Sequence, residues 1–99
     1  MKIPSSVRIG PYEYAVQFED KVLGDQNQEL YGHIDFGPQQ IKIQTGLSAE
    51  RTAAIFLHEV LHGLDEVLSI GLSEKQVTRL APALLTFLRD NNLLQQGKG

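Results

Sequence analysis

The hydrophobic pattern of this 99-residue chain changes its period once, near Thr45 and Gly46. Before this point apolar and polar residues alternate, which is typical of strands with one buried face, and after it apolar residues recur at helical spacing. The pattern predicts an α+β fold in a single domain covering residues 1–99. We expect a small antiparallel sheet of about four strands in residues 1–46, followed by two helices.

Four segments carry the strand pattern, namely residues 7–9, 12–18, 30–36 and 40–44. The turn residues Gly10-Pro11 and Gly37-Pro38 end the first and third of them, so that the last two form a predicted hairpin from Leu30 to Gln44. Residues 20–29 are mostly polar and are predicted to be a loop.

Two serines mark the starts of the predicted helices. Ser48 is a good N-cap for a helix over residues 48–69, and Ser73 with Gln76 predicts a capping box at the start of a second helix over residues 73–92. Pro82 lies inside the second helix and removes one backbone hydrogen bond there. The polar tail over residues 93–99 is predicted to fray.

The composition excludes several classes of function. The chain has no cysteine, which excludes disulfides, thiol catalysis and cysteine-based zinc sites. Its formal net charge of -3 and its scattered Lys and Arg argue against nucleic acid as a partner. No apolar stretch approaches the roughly 18 residues of a membrane span, and no apolar run near the start predicts a signal peptide. We therefore expect a cytoplasmic protein that does not associate with membranes.

The first predicted helix gathers titratable residues on one side. At 100° per residue, five such side chains fall in an arc of roughly 120°: His58, Glu59, His62, Asp65 and Glu66. A solvated helix face usually carries pairs of opposite charge, yet no Lys or Arg occurs from Thr52 to Glu74. Two imidazoles and three carboxylates this close together favour a site that a cation neutralises.

The segment His58-Glu59-Val60-Leu61-His62 predicts which residues would hold that cation. Histidines at i and i+4 stand one above the other and can both direct a ring nitrogen at one metal ion. Glu59 lies beside the ion without binding it, where it can take a proton from metal-bound water. Glu59 is thus the candidate catalytic residue.

A catalytic zinc usually takes a third protein ligand, and the spacing leaves the choice open. The candidates are Asp65, Glu66, Glu74 and His33. Asp65 lies about 10 Å along the helix axis from His58, which suits it better to orienting His62 as a hydrogen-bond acceptor. Glu74 opens the second helix, where it is either a ligand or a carboxylate that interacts with the helix dipole.

The His58–His62 segment resembles the active helix of gluzincin metallopeptidases. The segment from Glu74 to Ala81 is similar to the E-x-[EQ]-A-[NS]-x-F-A segment of ImmA/IrrE-type proteins, with Val77 and Leu80 in place of the usual Ala and Phe. The whole chain, over about residues 5–92, also resembles small phage-encoded proteins. The resemblance implies a Zn²⁺ ion on His58, His62 and Glu74, in a phage or bacterial protein.

The resemblance also implies a function and a place for the substrate. In gluzincins the strand before the active helix binds an extended peptide, so the predicted hairpin would form the cleft edge, with Tyr31 or His33 helping to stabilise an oxyanion. We expect zinc-dependent hydrolysis of a peptide or protein substrate. The alternatives are a non-catalytic zinc-binding module that uses the hairpin edge to bind a partner, and a metal-free α+β protein.

Overall fold

The computed structural model describes residues 1–94 and has the α+β architecture that the change of period predicts. Within this range, six strands precede two helices: β1 (Ser6–Ile9), β2 (Tyr12–Glu19), β3 (Val22–Leu23), β4 (Glu29–Leu30), β5 (Gly32–Asp35), β6 (Gln40–Gln44), α1 (Ala49–Leu68) and α2 (Glu74–Asp90). The frayed tail predicted for residues 93–99 lies, from residue 95 onward, outside the described residues.

Four of the strands form one sheet in the order β1-β2-β6-β5. The predicted hairpin is present, since β5 and β6 are antiparallel with Ile34 opposite Ile41. One pairing differs from the antiparallel sheet expected: β2 and β6 run parallel, with Val16 beside Ile41. The chain forms β3, β4 and β5 between these two strands, and this length of connection allows β6 to enter in the same direction as β2.

The segment predicted to be a loop, residues 20–29, contains a short strand. β3 pairs with β4 in a separate two-stranded ribbon, with Val22 opposite Leu30. The side chain of Val22 is almost fully buried. A strand of two residues is too short to show alternation. Because its neighbours are polar, the whole segment was predicted to be a loop.

The hydrophobic core lies between α1 and one face of the four-stranded sheet. The sheet contributes the alternating residues of β2 and β6, and α1 contributes its apolar face. Its buried hydrophobic members on the sheet and on α1 are Ile9, Tyr14, Val16, Ile34, Ile41, Ile43, Ala53, Phe56 and Leu57. The helix is thereby fixed against the sheet, which sets the position of the titratable residues on its flank.

Both predicted helix starts are confirmed. The Ser48 side chain accepts a hydrogen bond from the backbone N–H of Arg51, and Ser73 forms the capping box with Gln76. Helix α2 packs mainly against α1, with Val77, Ala81 and Leu85 buried. Neither helix within residues 1–94 has the length and apolarity that a membrane crossing requires.

Candidate metal centre

Helix α1 approaches the sheet closely at the level of the two histidines, because two glycines leave room there. A Cβ on Gly63 would lie 2.7 Å from Ile9 Cδ1, and one on Gly32 would overlap Ile55 Cγ2. Protein interiors are close-packed, so neither position has space for an added carbon atom. The close approach brings Glu59 against β5. Its side chain is buried there, although a carboxyl group is usually exposed.

A cleft of about 490 Å³ lies between β5, α1 and the start of α2. Its walls carry the histidines and carboxylates of the helix together with a continuous stretch of the edge strand. The lining residues are Asp25, Leu30, residues 32–37, His58, Glu59, His62 and Glu74. The sequence-predicted ligands and the candidate base therefore share one concave surface, which is where ligands usually bind.

Three donor groups converge in this cleft. The Nε2 atoms of His58 and His62 are 3.2 Å apart. Glu74 Oε2 lies 3.3 Å from the Nε2 of His58, and Glu74 Oε1 lies 2.9 Å from the Nε2 of His62. One ligand atom from each residue can be chosen so that all three lie within 4.8 Å of one another.

These separations fit a divalent ion. Ligand atoms about 2.0–2.1 Å from zinc at tetrahedral angles lie roughly 3.3 Å from each other, which is close to the observed spacing. Glu74 is the first residue of α2 and is positioned by the capping box on Ser73. A carboxylate brought by a second helix gives the third donor that two residues on α1 cannot supply. Two neutral imidazoles and a carboxylate are an ordinary donor set for zinc.

The pKa of His58 also suits metal binding. Burial lowers the pKa of this imidazole, the neighbouring His62 lowers it further, and Glu74 acts in the opposite direction. A histidine binds a metal through its neutral form, so a lowered pKa leaves a larger share of the ring ready to bind.

Glu59 is the buried carboxyl group beside the cluster. Burial, and after it the negative charge of Glu74, raise the pKa of this group to about 7, although a hydrogen bond from the backbone N–H of Ile34 acts in the opposite direction. A carboxyl group with a pKa near neutrality can both accept and release a proton at pH 7. The residue therefore has the protonation behaviour of a general base.

Asp65 has a different partner from the one predicted. Its Oδ1 accepts hydrogen bonds from the backbone N–H groups of Gly71 and Leu72, at 2.7 and 2.8 Å. The carboxylate thus fixes the turn between α1 and α2 instead of orienting His62. The same turn leads to Glu74, the first residue of α2.

The two strand residues predicted to face the cleft lie in different places. His33 lines the cleft, and its Nε2 lies 3.4 Å from Asp25 Oδ1. Tyr31 lies outside it, with the Arg51 guanidinium 5.1 Å from the centre of its ring. Glu66, one of the open candidates for third ligand, is absent from the cleft lining as well.

The backbone of β5 contributes to the cleft in a way that side-chain patterns did not predict. The N–H of Gln44 donates to the carbonyl of Tyr31 at 2.8 Å. Because bonding toward the partner strand alternates along an antiparallel pair, the backbone groups of Gly32 and Ile34 point away from β6 and toward the cleft. The Ile34 N–H donates to Glu59, so the backbone groups of Gly32 and the carbonyl of Ile34 are the ones that a second extended chain could pair with.

No protein-family model, curated protein or solved structure matches the chain. What the geometry gives is three convergent donors, a buried carboxyl group next to them, and strand β5 along the same cleft.

Proposed function

We propose that the chain is a zinc-dependent peptide hydrolase of the gluzincin type, similar to ImmA/IrrE-type proteins. The observation that supports this most strongly is the convergence of His58, His62 and Glu74 within 4.8 Å, in the same cleft as the buried Glu59. In this proposal the first three residues hold the zinc and the fourth is the general base. A cytoplasmic location, in a bacterium or a phage-infected host, belongs to the same proposal.

In the proposed reaction, a zinc ion and the residues of the chain have separate roles. A zinc ion supplies Lewis acidity that polarises a carbonyl group and brings the pKa of water toward 7. Glu59 accepts the proton of the attacking water at a carboxylate oxygen and delivers it to the leaving nitrogen. Burial of Glu59 keeps bulk water from competing for that proton.

The edge of β5 orients the substrate in this proposal. The backbone groups of Gly32 and the carbonyl of Ile34 face the cleft, where an extended peptide can add as a further strand, while the Ile34 N–H donates to Glu59. His33 lines the same cleft and is the candidate donor to the developing oxyanion. Tyr31 lies outside the cleft and has no part in the proposed reaction.

The first experiment compares the wild type with Glu59→Gln on a peptide library derived from a digested bacterial proteome. We expect new peptide termini, counted by mass spectrometry, to appear with the zinc-loaded wild type and to fall by at least 100-fold with the variant, because an amide cannot accept the proton. Both proteins should carry one zinc per chain by elemental analysis. Glu19→Gln, which removes a carboxylate that lines no part of the cleft, is the matched control and should cleave like the wild type.

The second experiment tests the ligands. His58→Ala and His62→Ala should each retain little zinc after purification, since two remaining donors bind the ion weakly. Full zinc occupancy in both variants would refute the assignment. Wild type that binds zinc yet cleaves none of the library would instead favour the non-catalytic zinc-binding module.

A further inference from the structure

Phe36 lines both the cleft and a second pocket of about 390 Å³. We call this second space the aromatic pocket; its other lining residues are Tyr12, Tyr14, Gln39, Glu66 and Val67. The shared wall makes the aromatic pocket the neighbour of the candidate metal centre. A substrate in the cleft would thus place one of its side chains close to the aromatic pocket.

Three aromatic rings form much of this pocket. The rings of Tyr14 and Phe36 meet edge to face, with centroids 6.4 Å apart and planes at 85°. Tyr14 is buried, whereas Tyr12 and Phe36 keep 47% and 40% of their surface exposed. Aromatic surface left open to solvent around a pocket is a common mark of a binding site.

One carboxylate completes the pocket. Glu66 lines the pocket together with Tyr14, and its charge is, after burial, the strongest influence that raises the pKa of the Tyr14 hydroxyl. No Lys or Arg lines the pocket, and among residues 1–94 no ion pair neutralises Glu66. Aromatic faces and an unneutralised carboxylate both attract a cation.

The distance from the candidate metal centre suits a neighbouring residue of the same peptide. Glu66 follows His62 by one helical turn, which corresponds to about 6 Å along the axis of α1. An extended peptide advances about 3.3 Å per residue, so this separation matches one or two residues. A zinc ion in the cleft would offset the charges of Glu59 and Glu74, which leaves Asp25 and Asp35 as its remaining carboxylates; no Lys or Arg lines the cleft, so its charge also favours a basic peptide.

We propose that the aromatic pocket binds the side-chain cation of a lysine or arginine, one or two residues from the peptide bond that is cleaved. This inference rests on the proposed function, to which it adds the class of substrate. Glu66 pairs with the cation, and the exposed rings of Tyr12 and Phe36 lie against it. The pocket thereby selects basic peptides without touching the reacting atoms.

The pocket can be tested without catalysis. N-acetyl-lysine amide and N-acetyl-arginine amide are titrated separately into the zinc-loaded Glu59→Gln protein, with N-acetyl-norleucine amide as the uncharged comparison. We expect saturable NMR shifts at Tyr12, Phe36 and Glu66 with one or both cationic probes, and at least a tenfold weaker response with norleucine. Adding Glu66→Gln, at an exposed position where the amide fits the same space, should weaken binding of the cation about tenfold.

The pocket is then tested in cleavage with the same peptide library. Wild type should cleave peptides with Lys or Arg at one fixed position at least tenfold more often than chance, and Glu66→Gln should lose that preference while its total cleavage falls less. Glu19→Gln should keep the preference. Cleavage without a basic preference, or a preference unchanged by Glu66→Gln, would overturn the pocket and leave the hydrolase intact. Binding of the cationic probes without any cleavage would support the pocket and overturn the proposed hydrolase.

Discussion

At the scale of single residues, Gly32 decides how closely Glu59 can approach β5. A Cβ at this position would overlap Ile55 Cγ2 and lie 3.3 Å from Glu59 Oε2. We predict that Gly32→Ala lowers the free energy of unfolding by about 1–3 kcal/mol, because overpacking forces neighbouring side chains out of place. Urea denaturation followed by circular dichroism measures the change.

The control for this substitution is Gly37→Ala in the adjoining turn. A Cβ on Gly37 would meet only Asp35 Oδ1, at 3.8 Å, which is an ordinary contact. The control should change stability by less than about 0.5 kcal/mol, as surface substitutions usually do. Equal stability losses in both variants would contradict the close approach of α1 and β5 at Gly32.

Asp65 gives a second prediction at this scale. Asp65→Ala leaves the N–H groups of Gly71 and Leu72 without their partner and should cost about 2–3 kcal/mol of stability. Asp65→Asn keeps a carbonyl oxygen that can accept the same bonds, so it should lose less than half as much. Both are measured by urea denaturation. An equal loss in the two variants would point to the negative charge instead of the two hydrogen bonds.

The sequence predicts the residues of the candidate site better than it predicts their partners. The i, i+4 spacing places His58 and His62 together because helix geometry is local. The partner of Asp65 could not be predicted, since backbone N–H groups beyond the helix end leave no mark in a pattern of side chains. The aromatic pocket was also missed, because Tyr12, Phe36 and Glu66 lie far apart in the sequence, on β2, in the turn after β5 and on α1.

At the scale of elements, the capping box at the start of α2 positions Glu74. Ser73→Ala removes the hydroxyl that accepts a hydrogen bond from the Gln76 N–H and should lower stability by about 1 kcal/mol. The first turn would then fray, so zinc affinity should fall as well. Calorimetric titration with zinc measures the affinity, and urea denaturation measures the stability.

The matched control for this prediction is Ser5→Ala, at an exposed position before β1. Its stability should stay within about 0.5 kcal/mol of the wild type, and its zinc affinity should not change. A zinc affinity for Ser73→Ala equal to that of the wild type would show that the cap does not hold Glu74 in place.

Helices and their starts followed from the sequence, whereas the pairing of the strands did so only in part. Ser48 and Ser73 act on backbone groups three residues away, so their effect is visible locally. The antiparallel pairing of β5 and β6 followed from the turn at Gly37-Pro38. The parallel pairing of β2 and β6 could not be predicted, because alternation shows that a strand has a buried face but does not name its neighbour.

At the scale of the whole molecule, the proposed zinc site requires the folded arrangement of α1 and α2. An ion that binds the native state alone should stabilise it by about 2.7 kcal/mol at a free concentration 100 times its Kd. We predict this increase for the wild type in zinc-buffered solution, and its loss in His62→Ala. Denaturation curves with and without zinc give the measurement. Identical curves for the wild type would contradict the site.

The division of the three donors between two helices has a consequence for a chain that contains no cysteine. A bound ion would act as a reversible crosslink between α1 and α2, in the place where other small domains use a covalent bridge. Chelation would then release α2 before the sheet opens. Amide hydrogen exchange should accelerate over Glu74–Asp90 while the protection of β2 and β6 persists.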